Sequence, residues 1–94
     1  MDIVQTDEFA KWLKDVTARA RILVRIQRLS LTGNFGDAKS VGDGVFEMRI
    51  DYGPGYRLYY ALRGSELVLL LIGGDKSSQQ KDIAKAKKLN QKYE

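Results

Sequence analysis

Apolar residues recur along this chain with two different periods. Phe9, Trp12, Leu13 and Val16 fall at spacings of three and four, the stripe of an amphipathic helix. Thr6 stands before them as an N-cap, and Asp7 and Glu8 occupy the first turn, where the helix dipole favours carboxylates. Residues 1–5 read as a short strand or a lead-in. Asp15 is placed to cap a second helix. Over residues 18–29, Ala18, Ile22, Ile26 and Leu29 mark one face, and Arg21, Arg25 and Arg28 mark another at the same period. Thr32-Gly33-Asn34 stops this helix, because Gly and Asn accept the left-handed conformation. Two segments so close together predict an α-hairpin or one bent helix.

Residues 33–44 are rich in Gly, Asn and Asp and read as an ordered loop. From residue 45 the period changes to two. Phe46, Met48, Ile50 and Tyr52 alternate with Val45, Glu47, Arg49 and Asp51. After a Gly53-Pro54-Gly55 turn, Tyr56, Leu58, Tyr60 and Leu62 alternate with Arg57, Tyr59, Ala61 and Arg63. Residues 66–72 (ELVLLLI) are apolar on both faces, which predicts a central strand covered on both sides, ended by Gly73-Gly74-Asp75-Lys76. Ser77 reads as an N-cap with Gln80 in the capping-box position. The helix it opens runs to about residue 92, with Ile83, Ala86, Leu89 and Tyr93 on one side and lysines over the rest. The pattern is α+β: two helices, a hairpin-built sheet and a closing helix.

At 94 residues the chain is read as one domain, 1–94, large enough for a single core. It has no Cys and no His, so thiol nucleophiles, Ser-His-Asp triads and Cys or His metal sites are excluded. No metal and no cofactor is expected. Sixteen Lys and Arg against twelve Asp and Glu leave +4, which favours a polyanionic partner. The longest apolar run, Leu67 to Ile72, is too short to span a bilayer, and no signal peptide is visible at the N-terminus. A cytoplasmic location without membrane association is the expectation.

If Phe46, Met48 and Ile50 share a core face with Leu58, Tyr60 and Leu62, then Glu47, Arg49, Arg57 and Tyr59 share the opposite one. That face gathers a carboxylate, two guanidiniums and a phenol. Lys76, at the end of the next strand, and Lys39, in the preceding loop, are within reach of it. Arginine presents a planar fork of donors suited to phosphate oxygens. One reaction needs neither histidine nor metal: attack of an RNA 2′-hydroxyl on the adjacent phosphate. Glu47 or a lysine could serve as base. Arg49, Arg57 and Lys76 could carry the developing charge, and Tyr59, Lys39 or Lys76 could serve as acid. The competing reading is a solvated cross-strand ion pair between Glu47 and Arg49 or Arg57.

The order of motifs resembles the RelE/ParE superfamily of type II toxins, in its short HigB-like, addiction-module killer branch. The residues concerned are Phe9-x-x-Trp12-Leu13, Arg25-Ile26-x-Arg28-Leu29, Gly33-Asn34-Phe35-Gly36-Asp37-x-Lys39 and Glu47-x-Arg49-Ile50. Gly53-Pro54-Gly55-Tyr56-Arg57 and Gly73-Gly74-Asp75-Lys76-Ser77-Ser78-Gln79 complete the set. The resemblance implies an α-hairpin packed on a small, mostly antiparallel sheet with a C-terminal helix. It implies a toxin that cleaves mRNA on the ribosome, restrained by a cognate helix-turn-helix antitoxin through which operator DNA is reached. On this reading Glu47, Arg49, Arg57 and Lys76 are catalytic, and Lys39, Tyr59 and Arg63 contact RNA. Glu47 stands where RelE-type strands carry catalytic lysine. Other members of the superfamily act on DNA gyrase instead, so a gyrase inhibitor or an inactive binding module of the same fold are the alternatives. The antitoxin is expected on the helical surface around Arg21, Arg25 and Arg28, or over the sheet face.

Overall fold

The structure is a computed structural model that describes residues 1–94. Strand β1 (Asp2–Gln5) leads into helices α1 (Asp7–Asp15) and α2 (Arg19–Thr32). Strands β2 (Ala38–Gly42), β3 (Val45–Ile50), β4 (Tyr56–Arg63) and β5 (Leu67–Asp75) follow, then helix α3 (Gln79–Lys92). The five strands form one sheet in the order β1-β5-β4-β3-β2. All neighbours are antiparallel except β1, which runs parallel to β5 with Asp2 opposite Leu67 and Gln5 opposite Leu70. The expected α+β, mostly antiparallel arrangement is the one observed.

Thr6 caps α1 as the pattern requires. Its hydroxyl accepts from the Phe9 amide at 2.9 Å and donates to the Leu71 carbonyl at 2.7 Å, so the cap also ties the helix to the central strand. Gly33 ends α2 at φ 71°, with its amide donating to the Leu29 carbonyl at 2.8 Å. Asp15, by contrast, is not a cap. It ends α1, and α2 starts after Ala18, which offers no side-chain acceptor. Ala18 is buried in the core at that helix start.

The sheet buries both faces. Phe9, Leu13, Ile22 and Leu29 of the two N-terminal helices pack against Met48, Ile50, Leu58, Tyr60, Val68 and Leu70. Ala86 and Leu89 of α3 pack on the opposite side against Val45, Tyr59, Ala61, Leu69 and Leu71. The expectation that β5 is covered on both sides holds. Tyr52, assigned to the core face, lies in the turn beyond β3, and Leu62, assigned to the same face, lies near the end of β4; both are exposed. A register shift in the β4–β5 pairing opposes Tyr59 to Ile72 and Tyr60 to Leu70, leaving Leu71 extra, and so turns both Leu71 and Ile72 toward α3.

Two further segments depart from the pattern. Part of the expected loop is strand β2, which pairs Ala38 with Met48 and Lys39 with Glu47. Gly73 and Gly74 do not end β5. They pair within it, opposite Leu58 and Arg57, and the strand continues to Asp75. A Cβ at Gly73 would overlap the Trp12 ring, and one at Gly74 would overlap the Asp82 carboxylate. These glycines therefore let α1 and α3 approach the strand closely. Gly73→Ala is expected to lower stability by about 1–3 kcal/mol in urea titration, because the strand backbone and the indole both resist displacement. An unchanged midpoint would show that Trp12 is free to move away.

The predicted Ser77 cap is also replaced. Asp75 accepts from the Ser77 amide at 2.8 Å and opens a short 3-10 turn over Lys76–Ser78, and α3 starts at Gln79. No helix is long and apolar enough to cross a membrane.

Candidate functional site: a cationic cleft anchored by a buried carboxylate

Glu47 and Tyr59 face each other across β3 and β4, and Arg49 faces Arg57 two residues further along. The alternation therefore brings all four side chains to one face, as the sequence suggests. That face is not open, because α3 lies over it. Glu47 and Tyr59 have no solvent exposure, and Arg57 retains only 9%. The ion pair of Glu47 with Arg57 is therefore nearly buried rather than solvated.

The Glu47 carboxylate is surrounded by donors. Tyr59 Oη donates to Oε2 at 3.1 Å, and Gln79 Nε2, from the first residue of α3, donates to the same oxygen at 2.9 Å. Arg49 Nε donates to Oε1 at 3.2 Å. Arg57 Nε lies 3.5 Å from Oε2, at ion-pair distance but without a hydrogen bond. Burial pushes the Glu47 carboxyl up, but the bonds from Gln79, Arg49 and Tyr59 and the charge of Arg57 outweigh it and hold the group below its ordinary value of 4.5. Burial, reinforced by the neighbouring carboxylate, pushes the Tyr59 phenol well up, so it stays protonated.

The sign of the linkage follows. A carboxyl whose folded pKa is depressed adds stability that is complete above the unfolded pKa and lost as pH falls through the folded one. The stability gap between wild type and Glu47→Gln is therefore expected to be constant at neutral pH and to shrink only below 4.5. Denaturant titrations across the acid range measure it, and a gap that closes near neutrality would contradict the depressed pKa.

The two arginines reach out of this buried cluster into a cleft of about 310 Å³ that they line together with Lys76, Asp37, Asp51 and Tyr56. Gly55 sits between the cations: a Cβ there would be 3.9 Å from both Arg57 Nη1 and Lys76 Cβ. Its φ of 81° turns the chain at this point. Lys76 is exposed and in no ion pair.

Of the seven residues singled out from sequence, Arg49, Arg57 and Lys76 line the cleft, and Glu47 and Tyr59 lie beneath it. Lys39 pairs with Glu47 in the β2–β3 register but sits exposed on the edge strand, outside the cleft lining. Arg63 is engaged elsewhere, donating to Asn90 Oδ1 at 2.7 Å and so tying β4 to α3. Asp37, Asp51 and Gln79 were not singled out. In the sequence Asp51 is one more polar position of its strand, and Asp37 and Gln79 stand inside motifs without a chemical role.

A larger cleft of about 600 Å³ lies between α1 and α3 around Trp12. Its charged lining is balanced, with Glu8, Asp15 and Asp82 against Lys11, Lys81 and Lys85. It has no cation cluster and is not the stronger candidate. No group of His, Cys, Asp or Glu is arranged to hold a metal ion.

Residues 8–94 match the family described as phage-derived protein Gp49-like. An uncharacterized protein of Haemophilus influenzae is 53% identical over 94 residues, an alignment covering 97% of this chain and 94% of that protein. The chain belongs to the Gp49-like phage-derived protein family, a family of toxin-like modules.

Proposed function

We propose that this protein is the toxin of a type II toxin–antitoxin pair, of the HigB-like kind, and that it acts in the cytoplasm as a metal-independent endoribonuclease on mRNA engaged by the ribosome. The observation that carries the reading is the convergence of Arg49, Arg57 and Lys76 on one cleft, with both guanidiniums held from behind by a buried carboxylate. Two arginines fixed in this way offer paired donors to a phosphate before it arrives. Lys76, exposed and unpaired, neutralises charge as the 2′-oxygen attacks phosphorus and supplies the proton that the departing 5′-oxygen takes.

Roles for the other residues follow from burial. Glu47 has no surface from which to touch RNA, so it acts through the arginines it positions. Tyr59, buried and bound to Glu47, holds that carboxylate in place. Asp37 and Asp51, exposed on the cleft rim, are the carboxylates available to accept the 2′-hydroxyl proton. The partner that restrains the activity is a cognate antitoxin of the helix-turn-helix class, which carries the pair to operator DNA.

Induction in growing bacteria followed by mapping of new mRNA 5′-ends tests the reading. Cuts at defined positions within translated codons are expected. Growth arrest with intact mRNA would move the target to gyrase or another protein.

A further inference from the structure

A second depression, of about 210 Å³, adjoins the cationic cleft. Arg49, Ile50 and Asp51 line both, so the two form one continuous trough. Its far wall is helix α2, which contributes Arg21, Arg25 and Arg28, with Tyr52 at the edge. None of these three arginines forms an ion pair. Arg25 donates only to the Phe35 carbonyl, at 3.2 Å. The Arg21 guanidinium carbon sits 4.4 Å from the centroid of the Tyr52 ring, which is 43% exposed.

Charge is distributed unevenly over the molecule. The trough holds six of the sixteen cationic side chains, Lys76, Arg57, Arg49, Arg21, Arg25 and Arg28, and two of the twelve carboxylates, Asp37 and Asp51. With Glu47, which backs Arg49 and Arg57, counted beside these two, six cations against three carboxylates put +3 of the formal excess of +4 at this one channel. Spacings of four and three residues set the α2 arginines about 6 and 4.5 Å apart along the helix axis, a ladder of unpaired cations beside a phosphate site. A polyanionic strand fits this lining, because four of its eight residues are arginines, set beside the apolar side chains of Val24, Ile50 and Tyr52.

We propose that single-stranded RNA continues from the phosphate cleft along this trough, with its backbone on Arg21, Arg25 and Arg28 and one base stacked on the Tyr52–Arg21 pair. The inference rests on the proposed nuclease reading and adds a binding track and a stacking platform to it. Aromatic rings and guanidinium planes both accept bases without regard to sequence. The track therefore contributes affinity and direction, and leaves base choice to the cleft.

Fluorescence anisotropy tests this with two labelled single-stranded RNAs, one of about ten nucleotides that fills the trough and one of about three that fills only the cleft. Arg21→Ala combined with Arg28→Ala is expected to weaken the longer RNA on the order of tenfold and to lower its salt slope by about 1.4. The shorter RNA is expected to be unaffected. Tyr52→Ala is expected to weaken the longer RNA by a similar factor, with recovery in Tyr52→Phe. All these positions are exposed, and a melting curve for each variant verifies folding. Loss of affinity on Arg57→Ala but none on the α2 double substitution would overturn the track and leave the nuclease reading standing. Absence of RNA binding by the wild type would overturn the track, and intact mRNA in the 5′-end mapping would separately overturn the nuclease reading. Unchanged RNA affinity together with lost antitoxin binding would make α2 a protein-docking surface and overturn the proposal.

Discussion

Lys76→Ala is expected to reduce mRNA cleavage by on the order of 100- to 1,000-fold while the protein stays folded. That is the usual cost of removing one positioned group that stabilises charge at the reacting centre. Lys76 is exposed, forms no ion pair and lies in the short turn that Asp75 caps through its own side chain. Nothing in the core depends on its ammonium, so its melting temperature should match that of wild type. Arg57→Ala is expected to lose cleavage to a similar degree but with some loss of stability, because this guanidinium is nearly buried against Glu47. Mapped 5′-ends and a thermal melt on both variants separate the two behaviours. Normal cleavage by Lys76→Ala would remove the lysine from the mechanism.

Glu47→Ala is expected to be the most destabilising change in the site. It removes the acceptor of Tyr59, Gln79 and Arg49 together and leaves Arg57 nearly buried beside a void. Breaking a buried ion pair from one side costs about 3–5 kcal/mol. For a domain of this size that lowers the melting temperature by more than about 10 °C. Glu47→Gln keeps the shape and one acceptor oxygen but removes the charge. It is expected to melt at an intermediate temperature and to cleave more slowly, because Arg49 and Arg57 lose the anion that orients them. If Glu47→Gln cleaved at the wild-type rate, the arginines would need no such anchor.

Strand alternation was enough to gather Glu47, Arg49, Arg57 and Tyr59 on one face. It was not enough to reveal that the face is covered. The signals for the cover were present but separate: ELVLLLI needs apolar contacts on both sides, and Ile83, Ala86 and Leu89 form a stripe with no other place to go. Joining them puts α3 over Glu47 and turns an exposed ion pair into a buried anchor. Strand β2 was hidden because Ala38-Lys39-Ser40-Val41-Gly42 carries almost no apolar alternation, and as an edge strand it buries little. The Gly73-Gly74 pair reads as a turn because glycine marks both turns and close approaches. Only the positions of Trp12 and Asp82 distinguish the two.

The parallel pairing of β1 with β5 has a consequence for synthesis. Residues 2–5 leave the ribosome well before their partners, residues 67–70, and Thr6 waits for the Leu71 carbonyl. Contacts this distant in sequence form late, since the intervening chain must be ordered first. The sheet edge, the start of α1 and the turn that carries Lys76 are therefore completed only when nearly the whole chain is available. A product interrupted before residue 67 has an unpaired β1, no acceptor for the Thr6 hydroxyl and no Lys76, so it lacks both the completed sheet edge and one cation of the cleft.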